Sequence, residues 1–242
     1  MSDALLDIPG YWINLDRSAE RRTSFHEHTG KYWRGKLTRV SAVDGRTDFT
    51  PEQVLEWTKR RLTRGTDKTP KERYSDRTLR HSAATWGGLN SHIKALKQGI
   101  ADGHEKFVVM EDDAAYRPAL AALTDEPPED AWVASYGGVP MLGLKADDQS
   151  FVNKLAKERP NEWRLLKSNG HFYGTHCHVI TRDAAAKLIP IYEADCCAAD
   201  IAWHALFDLG PCYRLQVQLV TQASGVTSDI TGKLRTGTTT NV

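Results

Sequence analysis

The sequence predicts an α/β protein built on a largely parallel sheet, and three observations carry that expectation. Short apolar runs alternate with stretches of helical periodicity along the 242 residues. The run Phe107-Val108-Val109-Met110 is apolar at every position, the pattern of a strand buried on both faces. Glu111-Asp112-Asp113 follows it at once, so three carboxylates fall at the carboxyl end of a strand, where open α/β sheets bind ligands.

Taken in order, Tyr11-Trp12-Ile13-Asn14-Leu15 reads as a short buried strand, and Ser18 as the N-cap of a helix reaching His28 and closed by Gly30. A second strand fits Leu37 to Val43, ending at the turn Asp44-Gly45. Pro51 opens a helix carrying Val54, Leu55 and Trp57. Lys59 to Arg80 is rich in basic residues and lacks apolar periodicity, so it reads as a long loop or flap able to approach phosphate. Leu89, Ile93, Leu96 and Ile100 recur at helical spacing and stop at Gly103. Beyond the acidic strand, Thr124 to Asp130 is a loop and Trp132 to Tyr136 a strand. Lys145 to Asn161 is polar and patternless. His171 to Thr181 reads as a strand, Asp183 to Leu188 and Ile201 to Leu209 as helices, and Leu215 to Val220 as an alternating strand. Residues 224–242, rich in Gly, Ser and Thr, read as a flexible tail, and the whole as one domain over residues 1–242.

Composition narrows the function. Thirty-two Lys+Arg against 31 Asp+Glu give a net charge of +1, which points to neither nucleic acid nor an anionic membrane. No apolar run approaches the roughly 20 residues of a membrane span. The N-terminus lacks the basic and long apolar regions of a signal peptide. Four cysteines are few for a disulfide framework, and no C-x-x-C spacing supports structural zinc. The expectation is a soluble protein of a reducing compartment, cytoplasmic and either free or peripheral to a membrane.

Three adjacent acids repel one another unless a cation or hydrogen bonds compensate. Mg²⁺ and Mn²⁺ prefer carboxylate oxygen and bridge to phosphates, so the tip suits a nucleotide-diphosphate site. Asn14, Asp16, Arg17 and Arg21 fall between the first strand and the first helix, a place suited to base, ribose or phosphate. His176 and His178, two apart on a strand, share one face and are candidates for a metal or sugar contact.

Several segments together resemble glycosyltransferase family 25, the group of lipopolysaccharide and collagen galactosyltransferases. Ile13-Asn14-Leu15-Asp16-Arg17 with Arg21 is similar to the opening "INLDR…R" motif, and Ala42-Val43-Asp44-Gly45 to "A-V-D-G". Gly87-Gly88-Leu89-Asn90-Ser91-His92 resembles the "G-C-x-x-S-H" helix start, with Gly88 where cysteine is usual. Glu111-Asp112-Asp113 is similar to the family's "EDD", its version of D-x-D, and Gly174 to Ala184 to the later strand and helix. Asp200 stands where the family has an acid, and Ser228-Asp229-Ile230 resembles "S-D-I".

The resemblance implies a GT-A fold, a Mn²⁺ (or Mg²⁺) cofactor and a nucleotide-diphosphate sugar donor. UDP-galactose is the default donor by the resemblance, and UDP-glucose, UDP-xylose or another activated sugar fits the residues equally well. The acceptor is a hydroxyl of a glycan, glycolipid or glycoprotein, and transfer proceeds with inversion. It assigns Asp113 to the metal and Glu111 to metal or ribose. Asn14, Leu15, Asp16, Arg17, Arg21, Asp44, Ser91, His92 and Asp112 go to the donor site. Asp200 is the base that takes the acceptor proton, with Asp195 as runner-up. His176, His178 and Asp229 are further candidates. The tail with Lys233 and Arg235 is expected to fold over the diphosphate. The competing readings are a non-catalytic nucleotide-sugar or carbohydrate-binding relative, a nucleic-acid-binding module and a metal-dependent phosphohydrolase.

Overall fold

A computed structural model describes residues 2–62, 75–121, 124, 126–140, 162–167, 172–194, 197–215 and 218–223. Among the described residues nine strands are arranged in two sheets. They are β1 (Gly10–Asn14), β2 (Leu37–Ser41), β3 (Lys106–Glu111), β4 (Ala114–Tyr116), β5 (Val133–Pro140), β6 (Trp163–Leu165), β7 (Phe172–Thr181), β8 (Cys212–Leu215) and β9 (Val220–Gln222). The helices are α1 (Ala19–His28), α2 (Pro51–Leu62), α3 (Asp76–Ala101), α4 (Pro118–Ala121), α5 (Arg182–Ala194) and α6 (Ala199–Ala202), with 3₁₀ turns at Ser2–Asp7, Gly30–Tyr32 and Trp203–Asp208.

The α/β class holds. The seven-stranded sheet runs β2-β1-β3-β7-β5-β8-β6, and β4 pairs with β9 apart from it. Five of the seven strands point one way; β7 and β6 run against them, because β7 pairs antiparallel with both β3 and β5, and β6 with β8. The expected acidic strand lies at the centre, with Phe107, Val108, Val109 and Met110 all at 0% exposure. Phe107 and Val109 face a cluster containing Leu89, Leu96 and Leu188 from α3 and α5; Val108 and Met110 face Trp12, Phe25 and Tyr136. A strand covered on both faces has no polar face to alternate, which is why its sequence is continuous hydrocarbon.

The helix centred on Leu89 differs most from expectation. It begins thirteen residues earlier, at Asp76, where Ser75 accepts a hydrogen bond from Thr78 N–H as its N-cap. Its first half buries Ser82, Ala83, Thr85 and Gly87, small residues that leave no apolar stripe to read. The G-G-x-x-S-H motif is therefore mid-helix rather than a helix start. The glycines have separate uses. A Cβ on Gly87 would lie 2.7 Å from Val43 O, and one on Gly45 only 1.9 Å from Ala83 O, so the Asp44-Gly45 loop packs backbone to backbone on α3. A Cβ on Gly88 would meet nothing within 4 Å.

Other departures are smaller. Residues 59–62 finish α2 and residues 76–80 open α3, so both ends of the segment expected as a loop are helical; residues 63–74 lie outside the described residues. Ser18 is at the N-cap but makes no side-chain cap bond, and Thr29 rather than Gly30 closes α1. α5 continues past Leu188 through Pro190, because Ala184, Ala185, Leu188 and Tyr192 keep one buried face. The helix expected at Ile201 to Leu209 splits into α6 and a 3₁₀ turn. The strand expected over Leu215 to Val220 is two strands in different sheets. Gly103 ends α3 as expected, at φ 79°, a conformation open to glycine. No helix is long and apolar enough to cross a membrane among the described residues. Residues 145–161 and 224–242, with Asp195 and Asp229, lie outside the description.

Candidate active site

A cleft of about 540 Å³ opens at the edge where β1 and β3 end and β7 begins. Because β7 runs against β3, the start of β7 is delivered beside the acidic end of β3. Asn14, Leu15, Arg17, Arg21, Asp44, Ser91, His92, Glu111, Asp112, Asp113, His176 and Asp200 all line it, brought together from across the chain. Asp16 does not line it: its exposed carboxylate pairs with Arg39 and accepts from Ser41 Oγ. His178 is buried behind the cleft, its ring 6.3 Å from that of His92 and 5.5 Å from that of Trp203. Burial and the neighbouring His92 push its pKa down to about 3, so it is neutral in the fold.

The three acids of β3 divide. Asp112 is tied into the wall: Asn14 Nδ2 donates to it at 2.6 Å and Arg21 Nε at 2.8 Å. Burial nonetheless raises its pKa, with Arg21 and Asn14 opposing. Asn14 itself is saturated, donating also to Ser18 O and accepting from Arg22 and Arg39. Asp113, 1% exposed, is held from behind by β9: Gln222 Nε2 donates to Oδ2 at 3.1 Å and Ala223 N–H to the backbone carbonyl at 2.7 Å. The Arg21 guanidinium also reaches Asp113 Oδ2, at 3.5 Å.

Glu111 and Asp113 meet His176. His176 Nδ1 lies 3.7 Å from Glu111 Oε2 and 3.7 Å from Asp113 Oδ1, and ligating atoms of the three residues all fall within 4.8 Å of one another. On its other side Glu111 Oε1 accepts from Thr175 Oγ1 at 2.6 Å and stands 3.5 Å from His92 Nε2. Burial raises the Glu111 pKa, but hydrogen bonds and charge from His176 and His92 outweigh it and hold the carboxyl well below its ordinary range. Two carboxylates and one imidazole in such a compact group form a donor set able to hold a divalent metal ion.

Asp200 sits in the first turn of α6. Burial, then the negative charge of Glu111, raise its pKa, while His176, His92 and the Gly174 backbone N–H pull it down. Gly174 adopts φ 99°, a backbone that L side chains rarely reach, at the point where β7 enters the site. Ser91 is a brace, accepting from Val43 N–H at 2.9 Å and donating to Gly87 O at 2.7 Å. Arg17 pairs with Asp44 at 2.5 Å, which closes the rim.

Sequence reasoning missed Thr175, Gln222 and Arg61, all of which line the cleft. Thr175 and Gln222 carry no local signal, since their roles depend on strands that pair across more than sixty residues. Arg61 had one: it follows Trp57 by four residues on a helix, within reach of its ring. Cys177 and Cys212 are buried thiols, and neither they nor Cys197 belong to the acidic cluster.

Fold and site define an α/β protein with an acidic cation-binding type of cluster in a cleft at the carboxyl edge of its sheet. Residues 7–203 match the sequence model of glycosyltransferase family 25, described as lipopolysaccharide (LPS) biosynthesis proteins, and the chain belongs to that family. It is accordingly a glycosyltransferase by family. No curated protein matches the chain. Among solved structures, the inositol-1-phosphate CTP transferase from T. maritima is similar at 11% identity over 89% of both chains, with a TM-score of 0.36.

Proposed function

We propose that this protein moves a sugar from a nucleotide-diphosphate sugar, a UDP-sugar first among them, to a hydroxyl of a glycan, glycolipid or glycoprotein, with inversion. The observation that carries this reading is the convergence of Glu111, Asp113 and His176 within 4.8 Å in the same cleft as Asp200. Glu111, Asp113 and His176 would hold a divalent cation, which would supply the positive charge that a departing diphosphate needs.

The chain's own groups do the rest. Thr175 and His92 orient Glu111, and Gln222 orients Asp113, so neither carboxylate has to reorganise when charge develops. Arg21, fixed on Asp112 and within 3.5 Å of Asp113, holds the wall between them in register. Asp200 takes the proton of the attacking acceptor hydroxyl. Its raised pKa brings it toward the pH at which a general base works best. Leu15 and the Arg17–Asp44 rim border the part of the cleft next to β1, where the nucleotide is placed.

The test is a screen of nucleotide sugars for Mn²⁺-dependent hydrolysis and for a rise in melting temperature, which a ligand of the folded state produces by mass action. One sugar nucleotide is expected to give both, with hydrolysis lost in EDTA and restored by Mn²⁺. A rise in melting temperature without hydrolysis, or with any acceptor, would identify a binding protein instead. No response to any sugar nucleotide removes the reading.

A further inference from the structure

Arg61 stands apart from the other arginines of the site. Arg17 and Arg21 are each matched to a carboxylate, on Asp44 and Asp112, and the charge of Arg46 also acts on Asp44. Arg61 lines the cleft, is half-buried, and among the described residues meets no carboxylate at all. A guanidinium taken partly out of water without a counter-charge is costly, and burial indeed lowers its pKa.

The fold nevertheless holds it in place. The Arg61 guanidinium carbon lies 5.6 Å from the centre of the Trp57 ring. Trp57, 2% exposed, stacks on Trp86 at 6.0 Å and 16°, and Trp86 stacks on Phe49 at 3.7 Å and 17°. This ladder runs from the loop before α2, through α3, back to the end of α2, and leaves the cation facing the cleft. A planar guanidinium on an aromatic face keeps its edge donors free for a bidentate partner.

Its neighbourhood lies toward Asp200. The Cys197 side chain, three residues before Asp200, is close enough to act electrostatically on Arg61. Ile201, 45% exposed, lines the same cleft one residue beyond Asp200. The side of the cleft that carries the proposed base thus offers a preset cation and an apolar surface, whereas the β3 side offers carboxylates.

We propose that Arg61 anchors an anionic group, a phosphate or a carboxylate, on the acceptor, and so selects charged acceptors over neutral ones. This rests on the reading that Asp200 marks the acceptor side. Bidentate recognition of an oxyanion is what a fixed guanidinium does best, and charge-assisted hydrogen bonds of this kind are the strong ones.

The test is calorimetric titration of the full chain with hexose 6-phosphate, glucuronate and neutral hexose at fixed ionic strength, with and without saturating UDP and Mn²⁺. The wild type is expected to bind one or both anionic sugars at least tenfold tighter than the neutral one, with UDP present. The arm that responds names phosphate or carboxylate. Arg61→Gln is expected to erase that preference while keeping its UDP affinity and, within about 2 °C, its melting temperature. Arg61→Lys should restore the preference only partly, because an ammonium lacks the fork. Equal or undetectable binding of the three sugars by the wild type overturns the proposal. So does an Arg61→Gln variant that loses UDP affinity instead, since Arg61 would then serve the donor diphosphate. The titrations without nucleotide remain readable even if no sugar nucleotide is hydrolysed, so failure of the glycosyltransfer reading is seen separately.

Discussion

Asp112 and Asp113 are chemically identical neighbours, yet each belongs to a different group of side chains lining the cleft. The Asp112 group is closed upon itself: Asn14 and Arg21 bind the carboxylate, and Asn14 is in turn saturated by Ser18, Arg22 and Arg39. The Asp113 group is a compact set of two carboxylates and an imidazole, supported from behind by Thr175 and Gln222 and facing the cleft. One tripeptide at a strand end therefore serves as scaffold with its middle acid and as ligand-binding group with its outer two. Asp112 and Asp113 lie in the turn between β3 and β4, and that turn sends Asp112 to Asn14 and Arg21 and Asp113 to His176 and Gln222.

The largest expected effect separates those groups directly. Asp113→Ala should lower sugar-nucleotide hydrolysis by about a thousandfold and abolish the Mn²⁺-induced rise in melting temperature, at small cost in stability, as removing one charge from a repelling pair is tolerated. Asp112→Ala should instead lose about 2 kcal/mol in denaturant unfolding, because it takes the acceptor from the buried Asn14 amide and leaves Arg21 only its longer contact to Asp113. If the two variants fail in the same way, the division of labour is wrong.

A second pair sharpens the contrast between scaffold and cleft. Gly45→Ala is expected to cost about 3 kcal/mol, since its Cβ would lie 1.9 Å from the Ala83 carbonyl in the backbone of α3 and nothing there is a flexible side chain. Gly88→Ala, with open space around it, should be neutral or stabilise by up to about 1 kcal/mol through helix propensity. Paired denaturant melts decide it, and a large loss from Gly88→Ala would break the assignment.

The smallest effect concerns pH. The Asp200 pKa is raised in the fold above the ordinary 3.8, so the native state binds that proton more tightly than the unfolded chain. Its contribution to stability is therefore full below 3.8 and falls as pH rises toward the folded value. Asp200→Asn removes this dependence. Melting temperatures measured against pH should show the variant gaining on the wild type across that window and holding a constant lead above it, while acceptor transfer is lost. A variant less stable than the wild type at neutral pH contradicts the burial of a charged Asp200.

How much of this was readable in advance depended on the range of the interaction. The buried strand Phe107 to Met110, its acidic end, the Asn14-to-Arg21 segment and the Gly103 stop are local patterns of hydropathy, charge and backbone freedom, and they were legible residue by residue. The first half of α3 was not, because its buried positions include Ser82, Ala83, Thr85 and Gly87, small or polar residues that leave no apolar stripe to read. The Arg21 side chain drew attention as a phosphate ligand; that it also reaches Asp112 and Asp113 could not be read locally, because it depends on how α1 packs beside β4.

The sequence by itself determined that an α/β sheet would end in carboxylates beside a basic, asparagine-bearing turn, because burial period and charge are properties of short segments. Only the tertiary structure decided that β7 would run against β3. That reversal carries His176 and Thr175 to Glu111, and β9 brings Gln222 to Asp113. Strand direction and pairing are set by the packing of the whole sheet, which no single segment encodes.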